Sequence, residues 1–258
     1  MVWVLGALLF LFGLAMGSFM TVVAARLPAG ESIVRPRSKC PTCGAEIRNR
    51  DNVPVLGWVL LHGRCRDCGA KIPVRYPLLE LSTAVLIVGA FAVYDDLWIA
   101  FAIAALLALM PVISVIDIEH RIIPNKLVYP ALIAFPVYLA VASVAGAPVD
   151  LVRMVVGFVA YGGALFIVAL VSRGMGMGDV KLAALIGIVL GSLSLGQVGV
   201  AAGAAIVFGG VGAVAALIRG VGRRGAMPFG PFLAAGAVVA AFWGVQIADW
   251  YSRTILHT

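Results

Sequence analysis

The sequence has 258 residues, of which 62% are hydrophobic and only 12% are charged. This composition excludes a water-soluble domain, because a soluble fold needs a far larger share of polar residues on its surface. The formal net charge is +7, but the basic residues cluster between apolar runs, as in membrane proteins, so nucleic-acid binding is not expected. Membrane lipids with anionic headgroups are the expected partners of these charges.

The first apolar run covers residues 2–25 and is followed by a polar region. The run lacks the basic segment that opens a secretory signal, so it predicts a retained membrane helix. Residues 26–76 are rich in Pro, Gly and Arg, and ten of the 19 Lys and Arg residues lie between Arg26 and Arg75. This region predicts a small domain built mainly from loops.

Seven further apolar runs follow, most of them near the twenty residues that a membrane helix needs. They cover residues 77–94, 97–117, 127–147, 151–172, 179–195, 197–218 and 228–249. The chain is therefore predicted to be an all-α polytopic membrane protein with about eight transmembrane helices. Residues 1–25 would form the first helix, 26–76 a cytoplasmic loop domain and 77–258 a seven-helix membrane domain.

The basic residues also predict the topology. Eight spans with both termini outside put 17 of the 19 Lys and Arg residues on the cytoplasmic side and leave only Arg153 and Arg253 outside. Cytoplasmic loops carry such an excess of positive charge. A count shifted by one helix would scatter these charges, so the eight-span arrangement is favoured.

Two aspartates stand at the cytoplasmic ends of predicted membrane helices. Asp117 ends one apolar run, and Asp179 opens another after Gly174-Met175-Gly176-Met177-Gly178. Ionisable residues at membrane depth are costly and mark functional sites. Two neighbouring carboxyl groups can share a proton, so that one activates water while the other polarises a peptide carbonyl. The pair predicts an aspartyl protease, in which the glycines admit an extended substrate.

A structural role is the alternative reading of each acidic residue. Asp179 near a helix N-terminus would interact favourably with the helix dipole, and Lys181 or Arg121 could pair with an aspartate. Glu80 lies early in the second predicted span and could cap or stabilise the start of that helix.

Four cysteines form two C-x-x-C pairs in the loop domain. The pairs are Cys40-Pro41-Thr42-Cys43-Gly44 and Cys65-Arg66-Asp67-Cys68-Gly69, with 21 residues between them. Each pair can direct two thiolates to one tetrahedral metal ion, and four thiolates close its coordination shell, so the pattern favours structural zinc. Disulfides are not expected in a cytoplasmic loop. A redox dithiol or unpaired thiols are the alternatives.

Further short motifs accompany these sites. They are Gly17–Val23, Arg26–Pro28, Asp51–Val55, Gly63–Arg66, Arg75–Leu81, Asp117–Asn125, Gly174–Leu182 and Pro228–Phe232. Together with the aspartates and cysteines they resemble the prepilin peptidases, also called type IV leader peptidases and N-methyltransferases. Thr21 stands where many members have asparagine, and Arg173-Gly174 replaces a more usual acidic approach to the glycine turn.

The resemblance implies a multi-pass aspartyl protease of the G-x-G-D type in the bacterial inner membrane. Such enzymes remove the basic leader from type IV prepilins and from type II secretion pseudopilins on the cytoplasmic side. Many members then methylate the new N-terminal amine with S-adenosylmethionine. The implied residues are Asp117 and Asp179 as the catalytic pair, Gly176, Gly178 and Lys181 as the supporting turn, Cys40, Cys43, Cys65 and Cys68 as metal ligands, and Gly63 for methyl transfer.

Three other functions stay open from the residues alone. One is a peptidase without methyl transfer, in which zinc only holds the loop together. Another is a non-enzymatic assembly scaffold for secretion or pili. A third is an ion-coupled transporter, which is disfavoured because the carboxylates lie at one membrane edge and no repeat is visible. The sequence has no glycine-rich nucleotide loop after a strand, so S-adenosylmethionine is expected from the resemblance alone.

Overall fold

The computed structural model describes residues 2–172, 175–218 and 227–256. Within these ranges the structure is helical, and extended pairing is limited to two isolated bridges, Lys39 with Glu46 and Arg64 with Lys71. The chain divides into two compact units, Met1–Val88 and Gly89–Thr258.

The first unit contains one long helix, the loop region and the start of a second long helix. Its elements are α1 (Val2–Arg26), a 3-10 turn (Asn49–Asp51), α2 (Leu56–Leu60) and α3 (Arg75–Val93), which continues beyond the unit boundary. A Cβ built at Gly13 would lie 2.5 Å from Ala84 Cα, and one at Gly17 would lie 2.6 Å from Glu80 Cα. Glycines four residues apart therefore let α1 pack closely on α3.

The described residues of the second unit form seven helices and two π-helical turns. They are α4 (Leu97–His120), α5 (Asn125–Val144), α6 (Leu151–Gly157), a π turn (Phe158–Gly162), α7 (Gly163–Ser172), α8 (Met177–Gly191), α9 (Leu195–Ile218), α10 (Gly230–Tyr251) and a π turn (Ser252–Leu256). Helices α6 and α7 join through the first π turn into one span over residues 151–172.

Helix α8 lies at the core of the second unit. It contacts α4, α5, α6, α7, α9 and α10, and its side chains Leu182, Leu185, Ile186 and Leu190 are fully buried. Its 15 residues make about 22 Å at 1.5 Å per residue. That length is below the roughly 30 Å of a bilayer core. Because nearly all residues from Asp179 to Gly191 are buried, neighbouring helices rather than lipid surround most of α8.

The fold prediction of an all-α membrane protein is confirmed. Seven helices among the described residues are long and apolar enough to cross a membrane, and α8 is the shorter eighth helix. Large apolar side chains are exposed along these helices, for example Val144 at 91% and Ile218 at 81%. Such surfaces suit lipid. The predicted cytoplasmic residues Arg173, Arg219, Arg223 and Arg224 lie outside the described residues.

Candidate active site and metal centre

Asp117 lies in the last turn of α4, and its side chain is held from the start of α10. The residue is only 5% exposed, and its Oδ2 accepts a hydrogen bond of 2.8 Å from the backbone N–H of Gly230. Helix α4 ends because Arg121 adopts the left-handed conformation (φ 56°) while its N–H bonds to the Asp117 carbonyl. The helix end and the α10 backbone together fix the direction of this carboxylate.

Asp179 occupies the first turn of α8. It is 9% exposed, and its N–H donates to the carbonyl of Gly176 at 3.1 Å. Helices α4 and α8 pack against each other, and the carboxyl groups of Asp179 and Asp117 are near enough to interact electrostatically. Two buried carboxyl groups from different helices therefore meet at one place.

The glycines before Asp179 have different surroundings. A Cβ at Gly178 would lie 2.9 Å from the Cβ of Ile123, so this glycine allows the connection between α4 and α5 to approach the start of α8. A Cβ at Gly176 would lie 3.6 Å from Asp179 Oδ2, which is ordinary contact distance. A side chain at 176 would therefore cover one face of the carboxylate. The predicted residue Gly174 lies outside the described residues.

Lys181 binds the start of α5. Its Nζ donates a 2.9 Å hydrogen bond to Asn125 Oδ1 and lies 4.7 Å from the centre of the Tyr129 ring. Both contacts hold the first turns of α5 and α8 together. Lys181 and Arg121 are the two predicted partners of an aspartate. Lys181 instead donates to the side-chain amide oxygen of Asn125, and Arg121 donates its backbone N–H to the backbone carbonyl of Asp117.

The four cysteines form one cluster in the first unit. The Sγ atoms of Cys40, Cys43, Cys65 and Cys68 all lie within 4.8 Å of one another, and all four are free thiols. The distance between the Sγ atoms of Cys40 and Cys68 is 3.8 Å. A tetrahedral ion with metal–sulfur bonds of about 2.3 Å would place its sulfurs about 3.8 Å apart. The donor set and its spacing therefore fit a metal ion.

Two equivalent turns build this cluster. The Cys40 N–H bonds to the Ala45 carbonyl at 2.9 Å, and the Cys65 N–H bonds to the Ala70 carbonyl at 2.8 Å. Gly44 and Gly69 close the turns with φ values of 74° and 69°, a conformation that glycine adopts without strain.

Backbone N–H groups favour the thiolate form of one cysteine of the cluster, Cys40. Hydrogen bonds from Cys43 and Thr42 lower the pKa of the Cys40 thiol to about 6. Because the thiolate is the metal-binding form of cysteine, the turn around Cys40 stabilises the form of this residue that a metal requires.

A second set of contacts organises the loop beside the cysteines. Arg66 binds Asp51 through two hydrogen bonds, Nε to Oδ2 at 2.8 Å and Nη2 to Oδ1 at 2.5 Å. The hydrogen bond from Arg66 lowers the pKa of the Asp51 carboxyl. Glu80 of α3 accepts a 2.7 Å hydrogen bond from the Val55 N–H. Glu80 thus binds the loop rather than only capping its own helix.

Comparison with known proteins places the chain in a family. Residues 11–94 match the bacterial peptidase A24 N-terminal domain, and residues 104–249 match the type IV leader peptidase family. The chain belongs to the type IV leader peptidase family. No solved structure matches it significantly.

Curated relatives of the leader peptidase extend over nearly the whole chain. A prepilin leader peptidase/N-methyltransferase of Bacillus subtilis is 34% identical over 255 residues, covering 97% of this chain and 99% of that protein. The Aeromonas hydrophila protein of the same name is 30% identical over 280 residues, covering 98% and 96%. A type 4 prepilin-like proteins leader peptide-processing enzyme of Escherichia coli is 36% identical over 256 residues, covering 89% and 91%.

Several contacts of this leader peptidase were not predicted from its sequence. The Pro228–Phe232 motif is visible in the sequence, but the hydrogen bond from the Gly230 N–H to Asp117 is not. The same holds for Asn125 and Tyr129 beside Lys181. Asn125 ends the matched Asp117–Asn125 motif, so its position was visible although its partner was not.

Proposed function

We propose that this chain removes the leader peptide from prepilins and then methylates the new N-terminal amine. The names of its relatives state these two activities for those proteins. Type IV prepilins and the pseudopilins of type II secretion are the proposed substrates. The convergence of the buried Asp117 and Asp179 from two helices is the observation that carries the peptidase half.

The two carboxyl groups suffice for peptide hydrolysis. The ionised member of the pair accepts a proton from a water molecule, whose oxygen attacks the scissile carbonyl carbon. The protonated member donates its proton to the carbonyl oxygen. When the tetrahedral intermediate collapses, the C–N bond breaks and the leaving amine takes up a proton. The Gly230 N–H holds one carboxylate in position during these steps.

The proposed location is the bacterial inner membrane, with the aspartates facing the cytoplasm. The basic residues of the sequence support this orientation through the positive-inside rule. A prepilin has a basic leader in the cytoplasm and an apolar helix in the membrane, so its cleavage point lies at the inner interface. Asp117 at the end of α4 is at such an interface in the proposed topology.

Zinc is the metal proposed for Cys40, Cys43, Cys65 and Cys68. Four thiolates leave no open position for water, which suits a structural ion rather than a catalytic one. S-adenosylmethionine is the proposed methyl donor, and it supplies an activated methyl group on a cationic sulfur. Neither ligand takes part in the proposed hydrolysis by the aspartates.

The peptidase proposal is tested by conservative substitution of the pair. Purified Asp117→Asn and Asp179→Asn variants should lose prepilin cleavage in detergent by about 10²-fold or more, because each removes an acid–base group. Asp249→Asn is the matched control, since Asp249 is an exposed aspartate of a membrane helix. Cleavage at the control rate by either pair variant would remove the aspartyl protease assignment.

The methyl-transfer proposal needs a separate measurement. Enzyme, prepilin and methyl-labelled S-adenosylmethionine should yield a cleaved product that carries label on its N-terminal amine. Cleaved but unlabelled product would leave a peptidase whose cysteine loop is only structural.

A further inference from the structure

A cavity of about 930 Å³ lies within the first unit, between α1, the loop and the start of α3. Its volume is at the upper end of the roughly 300–1,000 Å³ of small-molecule sites. The wall includes the buried Glu80, the ion-paired Asp51 and the aromatic residues Trp58 and Tyr76. The cavity is therefore large enough for a nucleoside-sized ligand. Its wall has anionic and aromatic groups and also four basic residues, Arg26, Lys39, Arg66 and Lys71.

Glu80 is a buried anionic group of the cavity wall. The residue is only 8% exposed, and its Oε2 accepts a hydrogen bond from the neutral Val55 N–H. A buried carboxylate is stabilised most by a cation. Asp51, by contrast, already binds Arg66 through two hydrogen bonds. A cationic ligand in this cavity would thus be attracted to Glu80 more than to Asp51.

Val55 has a strained backbone conformation, which directs its N–H to Glu80. Val55 has φ 60° and ψ −51°, which is a rare conformation for a β-branched residue. Such strain persists where the surrounding structure over-determines it and is concentrated at functional sites. Here it directs the Val55 N–H to the carboxylate that lines the cavity.

Trp58 forms a fixed aromatic part of the wall. Its Nε1 donates a 3.0 Å hydrogen bond to the Ile72 carbonyl, and its ring packs on Gly63. A Cβ at Gly63 would lie 2.8 Å from Trp58 Cζ2, and Gly63 has φ 65°. A side chain at 63 would therefore displace the ring. An indole can stack on a purine base and attract a sulfonium cation through its π face.

We propose that this cavity binds S-adenosylmethionine, with Glu80 and Trp58 as binding residues and Gly63 as the residue that positions Trp58. The inference rests on the proposed methyl transfer and assigns its donor site. The sulfonium and ammonium groups of this ligand match the Glu80 carboxylate, its own carboxylate matches the basic residues of the wall, and its adenine ring matches the Trp58 ring.

The test measures donor binding directly on the full chain in detergent. Calorimetric titration with S-adenosylmethionine should show at least a tenfold higher Kd for Glu80→Gln, Trp58→Leu and Gly63→Ala, while leader cleavage and metal content stay unchanged. Gly30→Ala is the matched control for Gly63→Ala. It has a similar φ of 71° but nothing within 4 Å of an added Cβ, so its Kd should be that of the wild type.

Two outcomes would overturn the assignment in distinguishable ways. If the wild type binds and transfers methyl groups while the three variants bind equally well, the donor site is elsewhere and the proposed function survives. If the wild type cleaves prepilin but binds no donor, methyl transfer and this site fail together.

Photo-cross-linking of labelled S-adenosylmethionine to the wild type tests the site without any variant. Label between residues 51 and 80 is expected, and label only elsewhere would refute it.

Discussion

At the residue scale, the surroundings of Asp117 suit a catalytic group better than a residue that only terminates a helix. A helix-terminal aspartate in water would be solvated and mobile. This one is 5% exposed and accepts a hydrogen bond from Gly230, 113 residues later in the chain. A backbone donor to a carboxylate fixes the direction in which the carboxylate points. Gly230 is therefore as much part of the proposed active site as the motif around Asp179.

Replacement of Gly230 by alanine should reduce leader cleavage by about 10- to 100-fold, because small misplacements of catalytic groups are costly. The added Cβ would lie 2.8 Å from Asp117 Oδ2, so the carboxylate must move although the N–H donor remains. Steady-state cleavage of a prepilin in detergent measures the loss. Gly203→Ala is the control, since nothing lies within 4 Å of its Cβ. Equal rates for the two variants would show that Asp117 tolerates displacement.

At the element scale, the short helix α8 depends on glycine for its central position. A Cβ at Gly187 would collide with the carbonyl oxygen of Gly157, and one at Gly191 would lie 2.9 Å from the carbonyl oxygen of Arg153. These two glycines are four residues apart and therefore lie on the same face of α8. Because this face lacks side chains at both positions, α6 can pack closely against it. This close packing against α6 fixes the position of α8, the helix that contains Asp179.

Gly187→Ala should therefore destabilise the protein by about 1–3 kcal/mol, the usual cost of overpacking a tight contact. The melting temperature in detergent measures this effect. Gly199→Ala on α9 is the matched control, because an added Cβ there meets nothing within 4 Å. Alanine in an open helical position is stabilising if anything, so the control should melt at or above the wild-type temperature. A Gly187→Ala variant that melts with the control would contradict the proposed packing role.

At the scale of the whole molecule, the two proposed chemistries lie in different compact units. Asp117 and Asp179 belong to the unit Gly89–Thr258, whereas the cysteine cluster and the cavity belong to Met1–Val88. Each unit contains its own buried polar groups and its own glycine contacts. The division lets methyl transfer and cleavage be perturbed separately.

Metal removal should separate the two activities. A Cys43→Ser/Cys68→Ser variant, or chelation of the wild type, should remove one metal ion per chain, measured by mass spectrometry. Binding of S-adenosylmethionine and methyl transfer should fall because the loop that forms the cavity wall loses its cross-link. Leader cleavage should persist, since both aspartates lie outside that unit. Loss of cleavage together with the metal would show that the aspartate pair depends on the loop.

The sequence by itself determined the class of the protein, the approximate positions of its membrane helices and the cysteine cluster. These features are local: an apolar run near twenty residues becomes a helix in lipid, and each C-x-x-C pair with its following glycine forms the same turn in this chain. It also singled out Asp117 and Asp179, because a charge at membrane depth is costly and therefore noticeable. Helix ends were predicted within a few residues; α8, for instance, ends at Gly191 rather than at 195.

Only the tertiary structure decided which groups meet. The bonds from Gly230 to Asp117 and from Lys181 to Asn125 join residues 113 and 56 positions apart. The hydrogen bond to Glu80 and the contact of Gly63 with Trp58 depend on unusual loop conformations at Val55 and Gly63. Hydropathy does not predict such pairs. It locates each membrane helix in the sequence, but it does not give the rotation of that helix about its axis or identify its neighbours. Helix packing selects the partners of Asp117 and Lys181, and loop geometry selects those of Glu80 and Trp58.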